Sequence, residues 1–432
     1  MAKDLVIPAP LEQVAATFNN ENTQNATAFG LLRVAQRDAK FQHQNSADNG
    51  LLLNFSQQEI ANAAILFQPE YARQRLTTSG TAGDIATRQT RQWWTYEPGR
   101  GQLLLGTYNF QGRQRGNVKR LGLLDGEDGV YLGQDDDGPF FAIRTSTGGK
   151  TRERIIRQSQ WNVDKLDGSG PSGVTLNEEA SQIFAVDFQW LGVGEVRYAF
   201  NIAGRNLTAH IETNANEFKE VYMRKASLPV RYEIEQVRDG DAGLFDEICM
   251  GVFSEGGTDI LRLPGSVYAY ANGGTENRPI TKTIGAVPEP VLLVRLRPDV
   301  PNGAALLTNF SAEVQCTSNT VGIAHLSLNP ALAGVTTWSD FPNSVLQTAD
   351  NIGAITFVDA LNIGYLFGSS FITQQADVTS LTTRSEWGLG RSLETTVDEP
   401  FGVSDIVCVA AGRNVGGANE TYSAILNFLA NQ

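Results

Sequence analysis

The sequence predicts an all-β protein built from antiparallel β-sandwich domains of jelly-roll-like type, with a short mixed N-terminal arm. Three observations indicate this fold class. Short segments alternate apolar and polar residues with a period of two, as strands with one buried face do. Gly, Asn and Asp turn signals separate these segments at the intervals typical of antiparallel sandwiches. After about residue 70, no amphipathic pattern is long enough for an extended helix.

The segment from Trp161 to Ile234 carries the clearest strand pattern. Its stretch DGSGPSG (167–173) predicts a rigid polar corner, because Gly permits positive φ and Pro fixes φ. The aromatic and β-branched residues that follow share one parity: Phe184, Val186, Phe188 and Trp190. The residues LGVG (191–194) break the alternation, and it restarts at Val196. This arrangement predicts a β-hairpin with a glycine-bearing connection.

Other strands are predicted wherever the same alternation lies between turn signals. They fall at 103–110, 118–126, 130–134, 139–146, 246–257, 291–298, 309–318, 322–330, 354–361, 404–412 and 421–430. No repeat of fixed period is visible, which disfavours a propeller or a solenoid.

The 432 residues are too many for one small core, and three regions are predicted. Residues 1–75 form an N-terminal docking arm or an ordinary subdomain, 76–245 a first β-sandwich, and 246–432 a C-terminal β-sandwich. The first region is rich in Asn and Gln. Within it, 57–67 (QQEIANAAILF) is a helix candidate with Ser56 as N-cap.

The composition excludes several classes of function. The formal net charge is 34 − 47 = −13, so binding to nucleic acid through phosphates is not expected. No window approaches 18 uninterrupted apolar residues, and the N-terminus has no signal-peptide pattern. We therefore expect neither membrane insertion nor secretion through a conventional N-terminal signal.

The cysteines and acidic runs indicate structural roles. Cys249, Cys316 and Cys408 are widely spaced beside apolar residues, which predicts buried free thiols rather than a zinc site or a disulfide framework. The acidic runs near 125–128 and 135–137 lack the calcium-loop pattern, so hairpin tips are the favoured interpretation. No metal and no cofactor is expected.

A basic-aromatic cluster precedes the first sandwich: Arg88, Arg91, Trp93, Trp94 and Tyr96. One interpretation is a platform on which ligands or bases stack. The other is a strand whose aromatic rings join the core while its arginines pair with acidic neighbours. The acidic net charge of the chain favours the second interpretation.

Several sequence blocks are distinctive in their order of residues: WNVDKLDGSGPSG (161–173), DFQWLGVG (187–194), VYMR (221–224) and LPVRYEI (228–234). With SEGG at 254–257 and GVTTWSDFPNSV at 334–345, they resemble a domain of virion structural proteins in tailed bacteriophages and some large DNA viruses. The resemblance covers roughly residues 76–432 and includes no catalytic signature.

The resemblance implies a non-enzymatic virion component of a tail fibre, a baseplate or a capsid appendage. The partners it implies are further copies of the chain, as a homotrimer, and other virion proteins docked through the N-terminal arm. Closed symmetry would bury sheet edges that otherwise aggregate. The alternative is a receptor- or glycan-binding tip that contacts a host-surface glycan.

The sequence gives little support to any pair of carboxylates as catalytic residues. A glycosidase needs two carboxylates facing a sugar cleft. Asp164 with Asp167, or Asp187 with Glu195, can be named, but the first pair is expected to cap turns and Asp187 lies on a predicted strand. The histidines at 43, 210 and 325 are far apart in sequence. We therefore expect no enzyme.

Sandwich domains bind sugars by stacking them on exposed aromatic rings. Candidate platforms in the C-terminal region are Trp338, Trp387, Tyr268 and Tyr270. The competing interpretation places each of these four side chains in the core or in an interface.

Overall fold

The structure is a computed structural model. It describes residues 37–51, 54–94, 96–255, 265–271, 281–299, 305–316, 322–334, 336–340, 346–359, 363–372, 378–382, 386–389, 393, 403–413 and 420–431. Within these residues the fold is all-β with antiparallel sheets, as predicted, and the only helical segments are single 3-10 turns at Pro69–Tyr71, Gln158–Gln160 and Ile352–Ala354. None of the helical segments in this described part is long and apolar enough to cross a membrane.

The described residues divide into two compact units. Unit 1 comprises the described residues up to 255, apart from 54–56 and 91–93. Unit 2 comprises those two short segments and the described residues from 265 onwards. The strands up to residue 255 are β1 (Arg37–Gln44), β2 (Phe55–Ile60), β3 (Ala64–Gln68), β4 (Arg73–Thr77), β5 (Ile85–Thr90), β6 (Gln102–Asn109), β7 (Asn117–Leu124), β8 (Gly129–Asp135), β9 (Gly138–Thr145), β10 (Arg152–Arg157), β11 (Gln182–Phe188), β12 (Val196–Ile202), β13 (Arg205–Glu212), β14 (Val230–Gln236) and β15 (Leu244–Glu255).

These strands form two facing sheets. Sheet A has the order β13-β12-β11-β6-β15-β4-β3, with β1 also paired to β15, and sheet B has the order β10-β9-β8-β7-β14-β5-β2. Phe141 of sheet B stacks on Trp161 at 4.3 Å and on Tyr198 of sheet A at 4.4 Å between ring centroids. The Tyr198 hydroxyl donates to the carbonyl of Ala142 across the same layer at 3.1 Å. Unit 1 is therefore a β-sandwich with an aromatic core.

Three charged side chains also lie between the sheets. Arg88 and Glu247 are both fully buried, and Arg88 Nε lies 2.8 Å from Glu247 Oε2. Lys119 donates to the carbonyl of Gly112 at 2.8 Å and also to the carbonyl of Phe110. Burial lowers the pKa of Lys119 to about 7, because the ammonium is removed from water.

Unit 2 contains two further sheets. Its strands are β16 (Gly265–Ala271), β17 (Lys282–Ile284), β18 (Glu289–Leu296), β19 (Ala305–Cys316), β20 (Gly322–Leu328), β21 (Leu332–Ala333), β22 (Trp338–Asp340), β23 (Leu346–Ala349), β24 (Thr356–Phe357), β25 (Tyr365–Ile372), β26 (Val378–Thr382), β27 (Glu386–Leu389), β28 (Ile406–Arg413) and β29 (Glu420–Asn431). Sheet C has the order β16-β29-β19-β26, with β17 on β29 and β27 on β19; sheet D has the order β22-β23-β18-β28-β20-β25. β21 and β24 pair separately.

A hydrophobic cluster around Leu293, Ile352 and Cys408 fills part of the unit 2 core. Burial raises the pKa of the Cys408 thiol to about 12, so the thiol stays protonated. Cys316 is also buried, Cys249 is partly exposed, and all three are free thiols in strands. The prediction of free thiols is confirmed, and that of burial holds for Cys316 and Cys408.

The predicted helix at 57–67 is wrong. These residues form β2 and β3, joined by a tight turn in which Ala61 has φ of +59°. The reason is non-local: β3 pairs with β4, placing Ile65 opposite Leu76. Tertiary pairing here overrides the local preference for helix.

The predicted region boundaries also differ from the two units. β1, within the predicted arm, pairs with β15 of sheet A, so that Gln42 lies opposite Gly251. The predicted boundary at 245/246 falls inside β15, which also pairs with β6. Residues 37–75 therefore contribute strands to the sheets of the first sandwich. Of the predicted strand at 354–361, residues 360 and 361 lie outside the described residues, and within 354–359 only the two residues of β24 are strand; Ala354 belongs to the 3-10 turn.

Candidate functional site

Of the four predicted glycan platforms, only Trp338 has a side chain within the described residues. Trp338 on β22 is half-buried, its ring lies 4.3 Å from the guanidinium of Arg295, and it packs against the Leu293 cluster. Tyr268 and Tyr270 on β16 lie opposite β29, and Trp387 on β27 lies opposite β19. The side chains of these last three lie outside the described residues. Trp338 is in sheet D, whereas the other three are in sheet C.

The carboxylates named from the sequence have structural partners. Asp164 accepts from the backbone N–H groups of Leu166 at 2.9 Å and Ser172 at 2.8 Å, and Asp167 accepts from Ser169 at 2.9 Å. Both aspartates cap turns, as expected. Glu195 pairs with Arg197, which lies opposite Asp187 in the β11–β12 ladder.

The acidic tip at 125–128 is neutralised by basic residues from a later loop. Lys225 Nζ lies 2.6 Å from Asp125 and 2.7 Å from Glu127, and Arg224 lies 2.8 Å from Glu127. Across the described chain, no group of three His, Cys, Asp or Glu side chains is placed to hold a metal ion.

A carboxylate pair that sequence reasoning missed lies on the outward face of sheet B. Glu233 and Glu235 are two residues apart on β14, and both pair with Arg120, at 2.8 and 2.7 Å. Burial alone would raise the pKa of Glu233, but the positive charges of Arg231, Arg120 and Arg144 outweigh it and lower the pKa to about 2. A general acid of a glycosidase needs a raised pKa, so this pair is not poised for sugar hydrolysis.

The DFQWLGVG hairpin meets the loop at 213–222 at one end of unit 1. Tyr222 N–H donates to the carbonyl of Gly192 at 3.0 Å, and Asn214 Nδ2 donates to that of Gly194 at 2.7 Å. Trp190 Nε1 donates to the carbonyl of Met223 at 3.1 Å. Two of the sequence blocks that carry the resemblance, 187–194 and 221–224, are therefore joined here by hydrogen bonds.

This junction presents three large apolar side chains to solvent. Leu191, Phe218 and Val221 are 47%, 45% and 37% exposed. Leu191 also has a positive φ of +36°, a strained conformation for a residue with a bulky side chain. Exposed apolar side chains grouped in this way are typical of interaction sites.

Beside them lies an open cleft of about 360 Å³ between the β9–β10 hairpin and the 213–222 loop, which we call the edge cleft. Its apolar wall consists of Ile143, Phe218, Val221 and Tyr222. Arg154 of β10 lies over the Phe218 ring, 5.0 Å from its centroid, and also pairs with Glu212 at the end of β13.

Two residues that line the edge cleft carry polar atoms that are buried beneath its surface and lack partners. Asn214 and Tyr222 are 1% and 7% exposed, and neither Asn214 Oδ1 nor the Tyr222 hydroxyl has a hydrogen-bond partner within the described chain. Burial raises the pKa of Tyr222 well above its usual value, so the hydroxyl keeps its proton. Two cations of the lining, Arg152 and Lys219, have no carboxylate partner among the described residues. Buried polar atoms without partners are rare in native proteins.

Local sequence patterns do not predict the edge cleft. One local signal was present: Phe218 is a single aromatic residue among Glu217, Lys219 and Glu220, in the loop that follows β13. Its partners come from β10 and β13, which only the folded chain brings close.

No protein-family model matches this sequence, and no curated protein matches it. Solved structures similar to part of the chain include the carbohydrate recognition domain of Emp47p, with 11% identity and a TM-score of 0.32, covering 51% of this chain and 97% of that one. A legume lectin-like domain from Entamoeba histolytica has 10% identity and a TM-score of 0.28, covering 46% and 89%. A beta-1,3-glucanase from Mycobacterium marinum has 8% identity and a TM-score of 0.34, covering 50% and 98%.

These structural neighbours are thus lectin-like and glycosyl hydrolase-like proteins. At such scores the likeness carries no argument about what this chain binds or does.

Proposed function

We propose that this chain is a non-enzymatic virion structural protein, a component of a tail fibre, a baseplate or a capsid appendage. The observation that carries the proposal is the structural role of the blocks resembling virion proteins. The block at 161–173 forms a capped turn, and the block at 187–194 forms a hairpin end bonded to the 213–222 loop. The block at 228–234 supplies most of β14, which lies between β7 and β5 in the interior of sheet B.

The carboxylates of the first sandwich support a non-enzymatic role. Glu233 and Glu235 are held by Arg120, and Asp164 and Asp167 are held by backbone N–H groups. Carboxylates fixed in this way stabilise turns and strands, and the pKa of Glu233 is lowered, whereas a general acid needs a raised pKa.

Virus particles assembled without this protein test the role. We expect electron cryomicroscopy of such particles to reveal missing density at an appendage, together with reduced infectivity. Particles with normal density and normal infectivity would remove the proposal. Complementation with the wild-type gene product is the control.

We further propose that the protein assembles as a symmetric trimer. The outermost strand of an open sheet has backbone groups that the sheet itself does not pair, and closed symmetry is a common way to cover such edges. We expect a mass measurement of the full chain at micromolar concentration to give about three times the 46.9 kDa of one chain. A stable monomer under these conditions would contradict the trimer.

A second candidate function is favoured by the edge cleft. An exposed aromatic ring in an open cleft with an apolar wall and a few charged groups is a typical arrangement for binding a small polar ligand such as a sugar. We therefore propose, as the second candidate, that the chain contacts a glycan in its role on the virion, and that it does so through unit 1. The candidate residues named from the sequence lie in unit 2.

A further inference from the structure

We propose that the edge cleft binds an acidic sugar, a six-membered ring that carries a carboxylate. This inference rests on the second candidate function and specifies its ligand. The first reason is size and shape: the cleft holds about 360 Å³, opens to solvent and has a largely apolar wall. That volume is at the lower end of the range for small-molecule sites and suits one or two sugar residues.

The second reason is the aromatic ring. Phe218 is 45% exposed, and the Arg154 guanidinium lies over its ring at 5.0 Å. The salt bridge from Arg154 to Glu212 and this stacking hold the ring beside the cleft. A sugar presents C–H groups on its ring faces, so Phe218 offers it an apolar surface to pack against.

The third reason is charge. The lining carries the cations Arg152, Arg154 and Lys219 and the carboxylates Glu153 and Glu220, an excess of positive charge in a chain whose net charge is −13. Arg152 and Lys219 have no carboxylate partner in the described part of the chain, and the Arg152 guanidinium donates to the carbonyl of Thr147 at 2.8 Å. The guanidinium of Arg152 therefore has N–H groups left to bind a carboxylate, the geometry in which arginine binds anions most strongly.

Together, the size of the edge cleft, its apolar wall and its cations without carboxylate partners match an acidic sugar.

The test is calorimetric titration of the full chain with a tetrasaccharide of glucuronic acid. Two further probes are the same tetrasaccharide with its carboxylates reduced to alcohols, and a short peptide with a C-terminal leucine. The test variants are Phe218→Ala and Arg152→Gln. The matched controls are Tyr71→Ala, which removes an exposed ring that also lies beside an arginine, at 4.5 Å, and Arg205→Gln, which removes an exposed cation outside the cleft lining.

We expect saturable binding of the acidic tetrasaccharide by the wild-type chain. Each test variant, and the reduction of the carboxylates, should weaken binding about tenfold or more, and each control variant should stay within about twofold. Circular dichroism of all variants checks that they fold. No binding of the acidic tetrasaccharide would overturn the proposal, as would equal binding by both test variants. Binding of the peptide alone would assign the cleft to a protein ligand and would also overturn it. A negative result in this titration does not contradict the proposed structural role, because that role is tested separately on virus particles that lack the protein.

Discussion

Replacing Glu247 with glutamine is expected to lower the free energy of unfolding of unit 1 by about 3–5 kcal/mol. Glu247 and Arg88 are both fully buried, with Nε and Oε2 2.8 Å apart. Burial lowers the pKa of Arg88, and the charge of Glu247 opposes this shift. Glu247→Gln keeps the size of the side chain but leaves the guanidinium buried without its counter-charge. Urea unfolding followed by tryptophan fluorescence measures the effect.

Two further variants separate charge from packing. In Arg88→Met/Glu247→Leu both charges are absent, so we expect it to be more stable than Glu247→Gln, because no uncompensated charge remains. Asp137→Asn removes an exposed partner of Arg157, 3.7 Å away, and should cost less than about 1 kcal/mol. If Glu247→Gln is as mild as Asp137→Asn, the buried pair does not stabilise the sandwich.

Replacing Gly194 with alanine is expected to destabilise unit 1 by about 3 kcal/mol or more. A Cβ at this position would lie 1.5 Å from the carbonyl oxygen of Gln189 and 2.8 Å from that of Trp190. Both contacts are with backbone atoms, so the hairpin end must open. The bond from Asn214 to the carbonyl of Gly194, 2.7 Å long, is expected to break at the same time. Urea unfolding measures the loss of stability.

Gly126→Ala is the matched control for this effect. A Cβ on Gly126 would have nothing within 4 Å, and its φ is not in the left-handed region. We expect its unfolding free energy to change by no more than about 0.5 kcal/mol. An equal loss in both variants would mean that general loop stiffening, rather than the close approach to Gln189, determines the effect.

Local patterns predicted much of the strand layout and little of the site. The alternation of Phe184, Val186 and Phe188 identified β11 and its buried face, because a period of two directly encodes which side is apolar. The helix prediction at 57–67 failed because the pairing of β3 with β4 decided that segment. The edge cleft depends on Arg154, Glu212 and Phe218, which lie on separate segments and share no spacing signal.

The sequence by itself determined that this is an all-β chain, where many of its strands lie, and that the 167–173 corner is a turn. These features depend on neighbours along the chain, through side-chain parity and backbone preference. Only the tertiary structure decided that β1 and β15 belong to one sheet, that Arg88 meets Glu247 in the core, and that Phe218 stands beside an open cleft. Those outcomes depend on which distant segments pair, and pairing is governed by the free energy of the whole sandwich rather than by local periodicity.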